Sequence, residues 1–576
     1  MTSPLRSGRA LLSALTLLLS AATTGCDDDP PVPILDAGQQ PTDSGTDAGS
    51  GDAGTEEDAG TDAGTEAPWD GGYTVLDDPG DWIDRGSFSE CRFTVEPSNL
   101  EACEDPTNFD MTSCNADQLA AIPPDGIYMS DLRAERLLAD GGTSVTPGSG
   151  GFQLYSDGGP DTLHGLPLST RMTEGGTFFL STRQVRPSLG DRVVSVAGCE
   201  TPKPGFITGC YITCTQGTRG FTHGKGTFEA QRPDRTDEPE SSGGLQLVSE
   251  SVVDLGTPVD VYVAHDHAYV VSINRFGRFG GLTVFDVSDR AHPLFKTSIS
   301  LPGDSYWNGV WAKGNALYVA SADTGVSVFD ISNPGAPEFI QSLPGSGSVN
   351  VHTVLVDGDR LYASDVTNFV GSTRVYDVST PLTPVLQQVI TLPEEFSFGG
   401  PHDFFAYEGR LYVSNGYGGY SVVDVSDLEN VRHLGHYFYP AFGGFSHHSA
   451  VGTFAGRTIA FEGGEFAASH LRVLDATDPA NLVKIGEFRM RPVTSIHNMI
   501  LKGNRLFIAW YHEGLRVLDV SNPTQPRQVA HFNTYRESDP RRREGTFEGA
   551  FGVRLPGDGH VYVVDSSRGL LIFNEP

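Results

Sequence analysis

The chain has 576 residues, a formal net charge of -34 and only 39 lysines and arginines. A chain of this length exceeds one ordinary core, so several segments are expected. The acidic balance argues against nucleic acid as a partner, because binding to phosphates requires a cationic face.

The first 26 residues predict a lipoprotein-type signal peptide. Arg6 and Arg9 precede an apolar stretch from Ala10 to Ala22, which is too short to span a bilayer permanently. The segment that ends at Cys26 resembles a bacterial lipobox, although Thr23 stands where Leu is usual. We therefore expect export and lipid attachment at Cys26 to the cell envelope (outer membrane or periplasmic face). The lipid would be the only membrane contact. A cleaved signal without lipid is the alternative.

Residues 27–72 form an acidic segment built on repeated Asp-Ala-Gly units. Residues 27–70 contain thirteen Asp or Glu and neither Lys nor Arg. Such a segment has too little apolar surface to offset its chain entropy, and its charges repel one another. The sequence therefore predicts a disordered linker that holds the folded part away from the membrane.

Residues 73–240 predict a separate, small β-rich domain. Four segments have strand character, namely 176–183, 192–196, 206–215 and 224–229, and Asn115 is placed to cap a short helix over 116–121. A small barrel or a sandwich fits this pattern. All cysteines after Cys26 lie here: Cys91, Cys103, Cys114, Cys199, Cys210 and Cys214. An even count in an exported chain indicates disulfides, with 15 possible pairings, rather than zinc, since no Cys-x-x-Cys spacing occurs.

Residues 244–576 contain a tandem repeat. Six Val-x-Asp segments recur with their aspartates spaced by 44, 47, 47, 51 and 44 residues: Asp286, Asp330, Asp377, Asp424, Asp475 and Asp519. Each unit combines an apolar strand, a turn, a Leu-Tyr-Val type strand, the Val-x-Asp strand and a last short strand. Four antiparallel strands per ~45 residues are typical of a β-propeller blade.

The inner strands of these units start near seven positions, which predicts seven blades: Val259, Asn308, His352, His402, His448, His497 and Phe551. The seventh unit stops after its third strand, at residues 571–573. Residues 245–252, ahead of the first blade, can supply the missing outer strand and close the ring. The predicted fold class is therefore all-β, with an N-terminally closed seven-bladed propeller after the disulfide-bonded domain.

The repeated motifs resemble the LVIVD-repeat family, which is named for a Leu/Val-rich strand that ends in Asp. The resemblance covers about 320 residues and six copies. It implies an exported or surface propeller that acts in binding or adhesion, and it carries no agreed catalytic residues. The repeated Asp itself is expected to accept backbone N–H bonds in an Asx-type turn.

Four histidines occupy equivalent inner-strand positions. His352, His402 and His497 each lie ten residues before the aromatic of the following strand, and His448 fits with one extra residue. Asn308 is the equivalent in the second blade. Converging neutral imidazoles are ligands for Zn, Cu or Fe, so a four-His metal site in the channel is one hypothesis. The other is that these side chains hydrogen-bond adjacent blades without any metal.

Further polar and aromatic residues fall on loops that open on the same face as the inner strands' start. The polar ones are His447, His470, His512, Glu513, Glu462 and Glu465, and Asn308 of the inner strand is expected beside them. The aromatic ones are Phe276, Phe279, Phe369, Tyr417, Tyr420, Phe442 and Phe445. Together they predict a binding surface at the channel mouth.

Three functions remain open from sequence alone. A binding module for a protein, glycan or small molecule at the channel mouth is favoured over an enzyme, because no nucleophile elbow, phosphate loop or His-Glu-x-x-His is found. A metal-binding protein or metalloenzyme, possibly an oxidoreductase, is the alternative, and an architectural envelope protein is the third. We expect a monomer.

Overall fold

The structure is a computed structural model, and it describes residues 68–121, 125–137, 142–186, 190–218, 220–345, 349–367, 370–397, 399–439, 444–466 and 468–576. The signal segment, Cys26 and residues 27–67 of the predicted linker lie outside these ranges. Two β units follow each other along the described chain. Among the described residues, no helix is both long and apolar enough to cross a bilayer.

The first unit is an eight-stranded closed barrel. Its strands in chain order are Gly126–Leu137, Thr143–Leu154, Thr162–Leu163, Leu166–Met172, Phe179–Gln184, Asp191–Glu200, Phe206–Gly217 and Gly220–Gln231. The last strand pairs with the first, which closes the barrel and leaves no free sheet edge. Rings of Tyr128, Phe152 and Phe178 pack inside it. The sequence left a barrel and a sandwich open, and the structure is the barrel.

Three disulfides tie the segment before the barrel to its strands. The pairs are Cys91–Cys210, Cys103–Cys214 and Cys114–Cys199. That segment carries two α-helices, one 3-10 helix and a two-stranded sheet: Leu100–Glu104, Ala116–Ala121, Pro106–Asn108, and Arg92–Phe93 with Phe109–Asp110. Asn115 Oδ1 accepts a 3.1 Å hydrogen bond from the N–H of Gln118, so the predicted helix and its cap are confirmed.

The second unit is a seven-bladed propeller, as predicted. The strands of each blade are given from the inside outward. Blade 1 is Thr257–Ala264, His267–Ile273, Gly281–Asp286 and Leu294–Ile299, and blade 2 is Trp307–Lys313, Ala316–Ser321, Gly325–Asp330 and Glu338–Leu343. Blade 3 is Val351–Asp357, Arg360–Asp365, Ser372–Asp377 and Val385–Ile390. Blade 4 is Asp403–Tyr407, Arg410–Ser414, Tyr420–Asp424 and Arg432–Tyr437. Blade 5 is Ser446–Phe454, Arg457–Gly464, Leu471–Asp475 and Val483–Phe488. Short 3-10 turns lie between blade strands at Glu394–Phe396, Leu428–Asn430 and Pro479–Asn481.

The last two blades include strands from before blade 1. Blade 6 is Met499–Lys502, Arg505–Trp510, Gly514–Asp519 and Arg527–Phe532, with Ser241–Ser242 added at its edge. Blade 7 is Ala550–Arg554, His560–Asp565 and Gly569–Asn574, with Leu247–Ser251 as its outer strand. Leu247 pairs with Phe573, so the N-terminal strand closes the ring as expected.

The second strand of each blade is buried on both faces, because neighbouring blades stack face to face. Leu317, Tyr318 and Val319 illustrate this, since all three are fully buried. Burying such side chains contributes roughly 1.5–3 kcal/mol each to stability. The Leu-Tyr-Val signal in the sequence therefore marks the layer that holds the blades together.

The repeated aspartates act as turn residues. In all six copies the Asp Oδ1 accepts a hydrogen bond of 2.7–3.0 Å from the backbone N–H two residues on. This is the Asx-type turn predicted for them. Their role is structural, and they turn the third strand of each blade toward the fourth.

Residues 69–82, here called the strap, run from the propeller to the barrel. Trp69 and Tyr73 pack on the core of blades 5 and 6. The N–H of Leu76 donates to the carbonyl of Lys484 on the outer strand of blade 5, at 2.8 Å. At the other end, Trp82 Nε1 donates to Asp131 of the barrel at 3.2 Å. Among the described residues, contact with the propeller is thus present from Trp69 onward, within the segment predicted as linker.

Candidate functional site

The inner strands carry β-bulges that redirect side chains into the channel. The strand pairing shifts between Trp307 and Gly309 in blade 2, between Val351 and Val354 in blade 3 and between Ser446 and His448 in blade 5. The residues within these shifts include Asn308, His352 and His447. A bulge adds one unpaired residue and reverses which side chains face each side.

Four imidazoles line one arc of the channel: His352, His402, His447 and His497. Their ring centroids are separated by 3.9, 4.4 and 4.5 Å in that order around the arc. One potential ligand atom each of His352, His402 and His447 lies within 4.8 Å of the other two. His447, Glu465 and His497 form a second group by the same measure.

Blade 5 therefore contributes His447 to this arc, where the repeat alignment placed His448. His448 lies to the side, with Nε2 3.8 Å from Asp403 Oδ2 and with Nδ1 accepting a hydrogen bond from the N–H of Met499 at 3.4 Å. The bulge at residues 446–448 explains the difference, because a shift of one residue moves the neighbouring side chain into the channel.

The ring nitrogens of this arc bind the backbone of the next blade. His447 Nδ1 lies 2.8 Å from the carbonyl oxygen of His497, and His497 Nδ1 lies 3.0 Å from that of Phe551. A carbonyl can only accept, so both Nδ1 atoms carry the proton and both Nε2 atoms keep a lone pair. Asn308 continues the pattern, since its amide lies 2.9 Å from His352 Nε2 and 3.3 Å from the His352 carbonyl.

Burial keeps these imidazoles neutral. It lowers the pKa of His352 to about 4 and, against a raising hydrogen bond to the Phe551 backbone, that of His497 to about 3. The pKa values of His402 and His447 also lie well below the ordinary range, because of burial first and of the neighbouring imidazoles second. Neutral imidazole is the form that binds metal ions.

Glu465 lies beside the arc on the loop that follows the second strand of blade 5. Its Oε2 is 3.7 Å from His447 Nε2, and its Oε1 accepts a hydrogen bond from the phenol of Tyr511. Burial raises the pKa of Glu465 to about 8, against the lowering hydrogen bond from Tyr511. Phe466 and Tyr511 both have positive φ, at 76° and 25°. Strained backbone of this kind is concentrated at functional sites.

The other predicted polar residues lie outside the arc. His470 Nδ1 is 2.8 Å from Asp81 of the strap, and His512 is buried beside Tyr535 at 5.0 Å between ring centroids. Glu513 is fully buried and binds Arg491 at 2.6 Å and Arg235 at 2.7 Å. Although burial would raise its pKa, Arg491, Arg516 and Arg235 lower it to about 2. His470 thus joins the propeller to the strap, and Glu513 joins it to the segment after the barrel, whereas His512 packs within the propeller.

A connected band of aromatic rings on the loops of blades 4, 5 and 7 contacts the imidazole arc at His402. Phe445 lies 5.0 Å from both His402 and Tyr417, and 5.1 Å from Phe466, all measured between ring centroids. Phe466 in turn lies 5.5 Å from Phe547. Tyr417 and Phe445 were predicted at this surface.

Phe466 and Phe547 were missed by the sequence reasoning, although they occupy the same two kinds of loop as the residues it named. Tyr420 is fully buried and donates to Ser449, so its predicted place on the binding surface is wrong. Phe369 and Phe442 lie outside the described residues.

The far side of the mouth, in blade 1, is exposed and flanked by arginines. Phe276 is 51% exposed, has a φ of 53° and lies under the guanidinium of Arg275 at 4.7 Å and that of Arg543 at 5.9 Å. Arg275 Nη1 donates to the carbonyl of Phe547, which links this rim to the aromatic band. Phe279 nearby is 71% exposed.

Sequence comparison matches the LVIVD repeat at residues 256–300, 305–343 and 496–534. These are blades 1, 2 and 6 of the propeller. Three of the seven blades are therefore LVIVD repeats. A propeller of LVIVD repeats is an architecture suited to an interaction module. Among curated proteins, none matches the chain.

Solved structures similar to this LVIVD propeller include the periplasmic gluconolactonase PpgL of Pseudomonas aeruginosa. It is 15% identical, with a TM-score of 0.39, and the match covers 66% of this chain and 99% of that one. The computationally designed protein Ika8 is 12% identical with a TM-score of 0.39, covering 57% of this chain and all of the designed one. Identities this low do not transfer an activity.

Proposed function

We propose that this protein is an exported, envelope-anchored binding protein whose LVIVD propeller takes a ligand at the channel mouth. The ligand has an apolar or aromatic face and carries negative charge. The observation that carries the proposal is Phe276, a bulky residue held half-exposed at positive φ between two arginines. Such a conformation costs of order 1–3 kcal/mol, and it is maintained where a surface is shaped for binding.

The aromatic band supports the apolar part of this ligand. Phe445, Phe466 and Phe547 are held by one another and by blade ends, so the surface is formed before binding. Tyr417 is 39% exposed at the edge of the band. Rigid aromatic side chains provide contact area at a low cost in conformational entropy.

The arginines support the anionic part. Arg278 donates to the backbone carbonyls of Val253 and Asp254, and Arg543 donates to that of Arg542. Backbone carbonyls do not neutralise a guanidinium, so Arg543 contributes positive charge at the rim, while the charge of Arg278 is partly offset by the carboxylate of Asp254. In a chain with a net charge of -34, a cationic rim beside exposed aromatic rings draws an anion to this place.

The signal segment and the disulfides support export. Arg6, Arg9 and the apolar stretch that ends before Cys26 form a lipoprotein-type signal. Three disulfides persist in an oxidising compartment such as the periplasm or the cell surface. Incorporation of a clickable palmitate analogue into the wild-type chain, and its loss in Cys26→Ser, would test the anchor.

The mouth is tested with anilinonaphthalene sulfonate, a dye that combines aromatic rings with one negative charge. We expect saturable binding of the dye with a stoichiometry of about one. Phe276→Ala should weaken it about tenfold, since losing a buried aromatic contact costs about 1.5 kcal/mol. Phe295→Ala is the matched control, because Phe295 is 61% exposed on the outer strand of blade 1, away from the mouth. Equal loss in both variants, or no saturable binding, would overturn the proposal.

A further inference from the structure

We propose that the propeller channel holds one divalent transition-metal ion, bound by His352, His402 and His447. This site lies beneath the mouth and goes beyond the proposed binding function, because the ligand atoms belong to the inner strands and not to the surface that would take the ligand.

The spacing of the three imidazoles fits one ion. Nitrogen ligands at ~2.0–2.1 Å from a zinc ion lie at most about 4 Å from one another. The ligand atoms of His352, His402 and His447 already lie within 4.8 Å of one another. Small rotations of the side chains therefore bring all three onto a common centre. The three residues come from blades 3, 4 and 5, so the site depends on the packing of three neighbouring blades.

The hydrogen bonds leave ligand atoms free on His402 and His447, whereas the His352 nitrogens lie 2.9 and 3.1 Å from the Asn308 amide, which a bound ion would displace. His447 Nδ1 donates to the carbonyl of His497, which orients the ring and leaves the lone pair on Nε2. His447 Nε2 and His402 Nδ1 are both buried, and neither has a hydrogen-bond partner within the described part of the chain. A buried polar atom without a partner is unfavourable, and a bound ion would provide the missing partner. A backbone carbonyl behind a ligating imidazole is the usual support of a metal site.

Glu465 and His497 offer a fourth ligand on the same side. They form the second group around His447, and His497 Nε2 is likewise buried without a partner among the described residues. His447 has only one free nitrogen, so the two groups share one ion and cannot bind two. A set of imidazoles with one carboxylate suits zinc, iron or copper rather than calcium or magnesium.

Blade-to-blade hydrogen bonding is the competing explanation for the same residues. It accounts for the Nδ1 atoms of His447 and His497, which bind the next blade. It does not account for the opposite nitrogens of these two rings, His447 Nε2 and His497 Nε2, which are buried without a hydrogen-bond partner in the described structure. Side chains that served only to hydrogen-bond adjacent blades would need one polar atom each, whereas each imidazole has a second nitrogen.

The test is elemental analysis of the full-length protein, purified without a His-tag and with its disulfides intact, together with Co2+ titration followed by the ligand-field spectrum. We expect about one equivalent of metal and a ligand-field spectrum with nitrogen donors. His447→Ala should lower the affinity at least about a hundredfold, in line with loss of one ligand of three or four.

His448→Ala is the matched control, because His448 is the adjacent residue on the same strand and lies outside both groups. We expect it to bind metal like the wild type. If His447→Ala does not fold, the wild-type protein alone still tests the inference. Added metal should raise the melting temperature of the wild type, and a chelator should lower it again. No metal-dependent shift or spectrum in the wild type, or equal loss in His448→Ala, would overturn the inference. Phe276→Ala should keep full metal binding, which separates this result from failure of the mouth.

Discussion

Asp78 of the strap binds Arg472 of blade 5, although 394 residues separate them in the chain. Asp78 Oδ2 accepts a 2.7 Å hydrogen bond from Arg472 Nε, and a second one, of 2.8 Å, from the phenol of Tyr437. Arg472 is fully buried and also lies 3.0 Å from Asp81. The acidic stretch after the predicted linker therefore supplies the counter-charges for a buried arginine of the propeller.

Replacing Asp78 by Asn should destabilise the propeller by about 3 kcal/mol, because removing one partner of a buried ion pair leaves the other charge uncompensated. Burial would raise the pKa of Asp78, but the charge and hydrogen bond of Arg472 outweigh it and lower that pKa. The effect of the substitution is therefore present at neutral pH and disappears in strong acid. Denaturant unfolding measures it, and Asp77→Asn on the exposed neighbour should change nothing. Equal stability of the two variants would contradict the role of the strap.

Closure of the ring should be sensitive to Phe573, which pairs with Leu247 and packs on Phe532 at 4.9 Å between ring centroids. Phe573→Ala should lower the free energy of unfolding by about 3–5 kcal/mol, the usual result of emptying a core aromatic site. The exposed Phe295→Ala should stay within about 0.5 kcal/mol of the wild type. The prediction fails if calorimetry gives both variants the same melting temperature.

The Cys103–Cys214 disulfide should stabilise the barrel selectively. Both sulfur-bearing residues are fully buried, and the bond spans 111 residues of chain. Changing both to Ser should cost about 2–5 kcal/mol, because the unfolded chain is no longer cross-linked. Calorimetry should show the barrel transition lowered and the propeller transition nearly unchanged. Peptide mapping by mass spectrometry checks the pairing itself, and a different pairing would refute this prediction.

Asp131 should make the barrel less stable as the pH rises. Burial raises its pKa to about 6, against the hydrogen bond from Trp82 and the charge and hydrogen bond of Arg85, while Glu229 adds a further small rise. The folded state therefore holds the proton more tightly than the unfolded chain does. The stabilisation is complete below about pH 4 and is lost as the pH passes 6, which amounts to about 2–3 kcal/mol.

Asp131→Asn should remove that part of the pH dependence, measured as the difference in unfolding free energy between wild type and variant from pH 4 to pH 7. Asp157→Asn, on an exposed loop of the same barrel, is the control. An unchanged pH slope in Asp131→Asn would show that the group titrates normally in the folded state.

The histidines of the candidate site were only partly predicted from the sequence. His352, His402 and His497 were found by counting from the aromatic of the next strand, and they line the channel. His447 was assigned to the mouth, while its neighbour His448 was given the ligand position. The bulge that exchanges them leaves no local signal, because either residue fits an inner strand and only the pairing with residues 463–464 decides.

The sequence by itself determined the seven blades, the closing strand ahead of blade 1 and the turn role of the repeated aspartates. The strands and turns of a blade depend on contacts within one repeat unit or between neighbouring units. Their sequence pattern therefore recurs with a period of about 45 residues. Tertiary structure alone decided the contact of Asp78 with Arg472, the choice of His447 and the aromatic band over the channel. These join residues that are distant in the chain, and their partners are set by how blades, strap and barrel meet, which no periodic pattern encodes.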